Sequence, residues 1–306
     1  MAIHETHSNL FRVKCTMAGV KIFNKGFNYS QDGPGNRLIY HLQGCNMRCA
    51  WCSNPEGMPV FGELMVESRW LIDDICPLGA ISHKTLDRRI CENCTDRACV
   101  TQHRSKGIHL SYTEYDTDSI LEEIQSALPL FYDGGGVTFS GGEPTLQFEA
   151  LEELLKGAKK AGIHTAIESN ATHRDLERLF PYIDLLILDF KLADEEKHLH
   201  YTGISNSRIK ENFKKVFRSG KPALIRIPVI HTVNATQEDM LDIIEFMTSN
   251  DTKNVGFELL AYHEYGKVKW EQCGKNYTMA NGFVSREKIK DFEQLFCDKN
   301  LVIKRT

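Results

Sequence analysis

The chain has 306 residues, 42% of them hydrophobic and 25% charged, with a formal net charge of −4. That length suffices for one large α/β core with a small insert, and the mildly acidic balance speaks against a nucleic-acid or membrane-surface partner. No apolar run approaches the roughly 20 residues of a membrane span, and the opening MAIHETHSNLFRVK has no apolar stretch of a secretory signal, so a cytoplasmic protein is expected.

In chain order, the first β-rich run is RLIYHLQG (37–44), which leads straight into a cysteine loop, GCNMRCAWCSNP. Region 58–116 then breaks the rhythm: it is polar, carries four cysteines, has no clear period and reads as an insertion. From Gly136 onward, strands alternate with amphipathic helical patterns. The strands are GVTFS (136–140), HTAIES (164–169), LLILDFK (185–191), ALIRIPVI (223–230) and VGFELLAY (255–262). Helical stripes run through Phe148, Leu151, Leu154 and Leu155, through Ile209, Phe213, Val216 and Phe217, and through Ile289, Phe292, Leu295 and Phe296. Strands separated by helices of this length predict a parallel sheet with right-handed crossovers. Six units are too few for a closed eight-stranded barrel. The expected fold is α/β, a partial (β/α)6 barrel formed by residues 1–57 and 117–306, with 58–116 as a small cysteine-rich insert.

In such barrels the chemistry lies at the C-terminal ends of the strands. The six candidate strands bring Cys45, then Ser140-Gly141-Gly142-Glu143, then Glu168-Ser169-Asn170, then Asp189 and Lys191, then Arg226, and finally His263 to, or near, one rim. Of ten cysteines, seven fall between residues 45 and 99, a clustering that favours metal ligation over disulfides in a reducing compartment. Cys15, Cys273 and Cys297 stand alone and read as bystanders. Cys45, Cys49 and Cys52 form C-x3-C-x2-C, three thiolate ligands for a 4Fe–4S cluster with no fourth nearby, which leaves one iron open to an exogenous ligand. The alternative is a zinc ion completed by a distant Cys or His. Gly141 and Gly142 allow a close backbone approach, and Glu143 offers a carboxylate to an amino group.

These motifs resemble the radical S-adenosylmethionine superfamily. Asp32-Gly33-Pro34-Gly35, WCSNPEG (51–57), GGVTFSGGEP (135–144) and AYHEYGKVKW (261–270) resemble, more closely, its glycyl radical enzyme activating enzymes, of the pyruvate formate-lyase activating type. The resemblance runs from about Phe27 to the C-terminus. It implies an oxidoreductase that cleaves S-adenosylmethionine reductively to a 5′-deoxyadenosyl radical, which takes a hydrogen atom from a glycine of a partner enzyme. Gly141, Gly142 and Glu143 would hold the methionyl amine. Lys191, Arg226 and His263 would face the carboxylate and ribose, with Ser169 on the same rim, and the Trp51 backbone would meet the adenine. Asp32 would sit near the incoming glycine. In some relatives, acidic residues matching Glu168 and Asp189 help to bind a monovalent cation; the longer Glu168 stands here where they have aspartate, which leaves the cation open. A flavodoxin or ferredoxin reductant and a monomeric state are implied likewise.

Many such relatives carry a two-cluster ferredoxin-like insert, in which the fourth cysteine of each run ligates the other run's cluster. Here the first run keeps only its crossing Cys76, and the second keeps Cys91, Cys94 and Cys99, with His103 at its fourth position. The expectation is one auxiliary 4Fe–4S cluster held by those four cysteines, with structural zinc as the alternative and His103 not required. Two other functions are weighed against activation of a partner enzyme: a radical enzyme acting on a small molecule, and a plain electron-transfer or zinc module.

Overall fold

The computed structural model describes residues 19–92, 94–101 and 107–306. Cys15 and His103 lie outside them. The main sheet has nine strands among the described residues: β1 (Val20–Tyr29), β2 (Asn36–Leu42), β3 (Thr113–Tyr115), β4 (Gly136–Gly141), β5 (His164–Ser169), β6 (Leu185–Asp189), β7 (Ala223–Val229), β8 (Val255–Ala261) and β9 (Val302–Ile303). Their order is β9-β8-β7-β6-β5-β4-β2-β1-β3. From β2 through β9 every neighbouring pair is parallel, whereas β1 runs antiparallel to both β2 and β3. The six expected strands are all present, and helices fill the crossovers between them.

Alternation divides the sheet into two faces. Leu38, Tyr40, Leu42, Val137, Phe139, Leu186, Leu188, Ile225, Ile227 and Phe257 meet the apolar stripes of the helices in one continuous core. The helix Phe148–Lys160 shows why: Phe148, Leu151, Leu154, Leu155 and Ala158 are buried on one side, and Lys159 and Lys160 complement the dipole in the last turn. The opposite face of the sheet carries polar residues into the barrel interior, among them Arg37, His41, Thr138, Ser140, Glu168, Asp189, Arg226 and Glu258.

The described residues between 64 and 110 gather beside the barrel around a small core of Leu64, Leu71, Ile75, Ile81, Cys99 and Ile108. Leu64–Val66 pairs antiparallel with Ile108–Leu110, and Ile81–Ser82 with Thr85–Leu86. Thr113–Tyr115, which the sequence reading places within 58–116, is the outer edge of the main sheet as β3. No helix among the described residues is long and apolar enough to cross a membrane.

Arg37 plugs the floor of the barrel. It is fully buried; its Nε donates to Thr138 Oγ1 at 2.7 Å, and its guanidinium also donates to the carbonyls of Val137 (2.6 Å) and Pro34 (3.3 Å). Burial lowers its pKa to about 10, which still leaves it charged at neutral pH. Arg37→Met removes charge-assisted bonds and strands their acceptors, so it should cost about 3 kcal/mol, read as a lower urea midpoint at unchanged slope.

Candidate active site

The pairing of β2 with β4 positions everything at the rim. At the end of that ladder, Gly142 N–H donates to the Leu42 carbonyl (3.0 Å) and Glu143 N–H to the Gly44 carbonyl (2.7 Å), while Gly44 and Cys45 donate to Gly57 and Met58 (2.8 and 2.9 Å). The glycines are needed for this contact between backbones. A Cβ on Gly142 would stand 2.3 Å from the Gly44 oxygen, and one on Gly141, whose φ is +129°, would stand 2.3 Å from the Leu42 nitrogen. The GGE turn is therefore spliced onto the start of the cysteine loop.

The loop and the strand ends enclose a cavity of about 560 Å³. Cys45, Cys49, Cys52, Trp51, Gly141, Gly142, Glu168, Ser169, Asp189, Lys191, His263 and Asp32 all line it. Lys191 Nζ donates to Asp189 Oδ2 at 2.7 Å. Burial alone would depress this ammonium, but Asp189 and the nearby cysteines outweigh it, so its pKa is raised and the cation persists. Burial lowers the pKa of His263, whose ring stacks on Tyr265 with centroids 4.3 Å apart. Pro228, Ile230, Leu260 and Met47 supply the apolar part of the wall.

Two residues expected to face a ligand sit elsewhere. Glu143 is fully buried behind the turn, where its carboxylate accepts from Thr145 N–H (3.1 Å), the Thr145 hydroxyl (2.5 Å), the Ser169 hydroxyl (2.8 Å) and Asn170 N–H (2.7 Å). It ties the second strand end to the third. Arg226 lies below the cavity, bound to Glu168 (2.5 Å), Glu258 (3.0 Å) and Asp32 (3.4 Å). Pro228, two residues further along β7, lines the cavity in its place. Arg226 thus orients two carboxylates that do face the cavity, Glu168 and Asp32; Ser140 holds the other oxygen of Glu168 at 2.6 Å.

Sequence reasoning passed over several lining residues. His41 comes from the inward face of β2, the signal being a histidine just before the cysteine loop; its buried Nδ1 has no protein partner. Lys269, in the AYHEYGKVKW run, bridges Asn54 (2.8 Å) and Glu56 (2.6 Å). A second cavity, of about 250 Å³, is lined by Cys76, Cys91, Cys94 and Cys99 together.

The donor set of the larger cavity fits an iron–sulfur cluster. Its three thiols are sunk deeply enough that burial pushes Cys45 and Cys49 up to about 12 and raises Cys52 as well, so a multiply charged iron centre is what would make them thiolates. Met47 N–H and Asn54 N–H already point at the sulfurs of Cys45 and Cys52, each at 3.4 Å. No three Cys, His, Asp or Glu side chains among the described residues converge closely enough for a single metal ion; a cubane instead places each thiolate on a separate iron. Gly142→Ala forces overpacking worth about 1–3 kcal/mol into the splice. It should lower the iron retained after anaerobic reconstitution while far-ultraviolet circular dichroism stays as in the wild type; full iron retention would show that the loop does not depend on this contact.

Comparison with known proteins agrees with this geometry. The model of the radical SAM superfamily matches residues 39–247. The 4-hydroxyphenylacetate decarboxylase activating enzyme of Clostridioides difficile is 34% identical over 288 residues, covering 88% of this chain and 90% of the relative. The isethionate sulfite-lyase activating enzyme of Oleidesulfovibrio alaskensis is 35% identical, covering 78% and 82%. Among solved structures, a radical SAM methyltransferase from Sphaerobacter thermophilus shares the fold, with a TM-score of 0.53 at 11% identity over 94% of this chain and 77% of that one. A partial parallel barrel, a three-cysteine loop spliced to a GGE turn and relatives matched over most of their length lead to one conclusion: the chain belongs to the radical SAM superfamily, among the activating enzymes of glycyl radical enzymes.

Proposed function

We propose that this enzyme binds S-adenosylmethionine in the 560 Å³ cavity, against a cluster held by Cys45, Cys49 and Cys52, and generates a radical on a glycine of a glycyl radical enzyme. The observation that carries this reading is the shared cavity: three cysteines, Gly141, Gly142 and the Lys191–Asp189 pair line one wall-to-wall space. When bound, the cluster supplies one electron, and the sulfonium C–S bond of S-adenosylmethionine breaks to methionine and a 5′-deoxyadenosyl radical.

The chain's own residues bind and orient. Lys191, fixed by Asp189, offers a full positive charge to the substrate carboxylate. The backbone of Gly141 and Gly142 accepts the methionyl amine, which Glu143 supports from behind by holding Ser169 and Asn170. Trp51 meets the adenine and His263 the ribose. Glu168 keeps its orientation through Ser140 and Arg226. Asp32 marks the side at which the partner's glycine enters, and the apolar wall of Pro228, Ile230 and Leu260 keeps water from the radical. A monovalent cation beside Glu168 and Asp189 is compatible with their two carboxylates. Nothing in the cavity has to read the partner's own substrate, because that substrate never enters it.

Residues 58–116 serve as a reduced ferredoxin-like insert with one auxiliary 4Fe–4S cluster on Cys76, Cys91, Cys94 and Cys99, supported by their common cavity. The remainder, 1–57 and 117–306, is the catalytic barrel. We place the enzyme in the cytoplasm as a monomer, reduced by flavodoxin or ferredoxin.

Three measurements test the proposal. Anaerobic reconstitution should give about eight iron atoms per chain, and about four after Cys45, Cys49 and Cys52 are all changed to Ala. Lys191→Met should weaken S-adenosylmethionine binding about 10- to 100-fold, the loss expected for a charge-assisted contact. Incubation with a glycyl radical enzyme, reductant and S-adenosylmethionine should produce the doublet of a glycine-centred radical in electron paramagnetic resonance; cleavage of S-adenosylmethionine without that doublet, for every such enzyme tried, would favour a small-molecule substrate.

A further inference from the structure

The helix Lys267–Gln272 lies between the loop of Cys52 and the segment that leads to Cys91. On one side it grips the loop that carries Cys52. Trp270 Nε1–H donates to the Cys52 carbonyl at 2.9 Å, and Lys269 Nζ holds Asn54 (2.8 Å) and Glu56 (2.6 Å). Gly266 lies directly on Ser53: a Cβ there would stand 2.5 Å from the Ser53 oxygen. Glu56 is buried with one carboxylate oxygen unpartnered, so its charge rests on Lys269.

On the other side, the same helix is anchored to the insert. Arg88 donates to the Gln272 carbonyl (2.8 Å), the Leu64 carbonyl (2.9 Å) and Glu63 (3.1 Å). Gln272 ends the helix, where the last carbonyls lack intrahelical partners and a cation is favourable. Lys275 pairs with Glu63 at 2.8 Å, and Cys273 Sγ lies 3.2 Å from Met65 Sδ. Arg88 in turn opens the four-residue helix Arg88–Cys91, whose last residue lines the four-cysteine cavity. A helix that short has no stability of its own, so its position depends on the bonds of Arg88 at one end and on what holds Cys91 at the other.

We propose that the helix Lys267–Gln272 couples the two cysteine sites: filling the four-cysteine cavity fixes Cys91 and Arg88, and through Arg88, Gln272 and Trp270 it stiffens the loop of Cys52. Arg88, Lys269 and Trp270 are positioning residues, and the insert is a brace for the catalytic loop. This inference rests on the auxiliary-cluster reading given above. It requires no movement of the barrel, only that metal binding adds a fixed point at Cys91 to a segment that the bare chain holds through Arg88.

Hydrogen exchange across residues 52–57, followed by mass spectrometry on the reconstituted enzyme, tests the coupling, since the amides of Cys52, Asn54 and Gly57 are all hydrogen-bonded. Cys94→Ser, which empties the insert site, should speed exchange there about tenfold, the scale of one charge-assisted bond. Arg88→Met should reproduce the effect with iron still bound at the insert, and combining the two should add nothing further. Where Arg88→Met loses insert iron, Gly274→Ala replaces it, because a Cβ at Gly274 would stand 2.1 Å from Arg88 Nε and displace the guanidinium. Wild-type exchange in the iron-replete Arg88 or Gly274 variant would overturn the coupling and leave the auxiliary cluster standing. Wild-type protein with iron for one cluster only would overturn both.

Discussion

The site depends on the meeting of two backbones. β2 and β4 pair in parallel, and at their ends the Glu143 N–H reaches the Gly44 carbonyl at 2.7 Å, with no side chain on either of the preceding glycines to hold the strands apart. That contact fixes where Cys45 begins. Because Arg48 donates back to the Cys45 carbonyl (2.7 Å) and the Cys52 N–H to the Cys49 carbonyl (3.1 Å), the placing of Cys45 carries over to the others. The GGE motif is accordingly a structural weld before it is a binding edge, and Glu143 extends the weld to the third strand through Ser169 and Asn170.

Electrostatics divides the barrel interior into levels. At the floor, the charge of Arg37 is met by hydrogen bonds to a hydroxyl and to carbonyls. In the middle, Arg226 is shared by Asp32, Glu168 and Glu258, so one guanidinium organises three carboxylates without meeting the cavity itself. At the rim, Lys191 leans on a single carboxylate and keeps donor capacity for a ligand. A zwitterionic substrate with a sulfonium centre suits such a surface, in which cationic and anionic groups are already fixed in place by protein bonds rather than by the substrate.

Much of this was legible in the sequence, for identifiable reasons. Six of the seven parallel strands are apolar runs between amphipathic helices, and the periodicity located each of them within a residue or two; the seventh, β9, is only two residues long. β1 was missed because VKIFNKGFNY mixes a glycine and two asparagines into its alternation, and its pairing with β2 and β3 outweighs its low propensity. β3 is three residues long, too short for any period to register. Among site residues, the strand pattern put Arg226 near the rim but did not say how deep it lies; it is the fourth of seven residues in its strand, with Pro228 above it. The partners of Lys269 and Trp270 are more than 200 positions away in sequence, so the motif was visible and its targets were not. Cysteine spacing, by contrast, encodes local geometry, and it separated the three-cysteine loop from the four cysteines that line the second cavity.

The central claim is that the loop of Cys45, Cys49 and Cys52 holds a cluster with one iron open to the amino-acid end of S-adenosylmethionine. Pulsed electron–nuclear double resonance on the reduced enzyme, with S-adenosylmethionine labelled with nitrogen-15 at its amino group, tests it most directly. A strong nitrogen-15 coupling that disappears when Cys52 is replaced by Ala is the predicted result. A reduced, S-adenosylmethionine-saturated cluster with no coupling from that nitrogen would contradict the account.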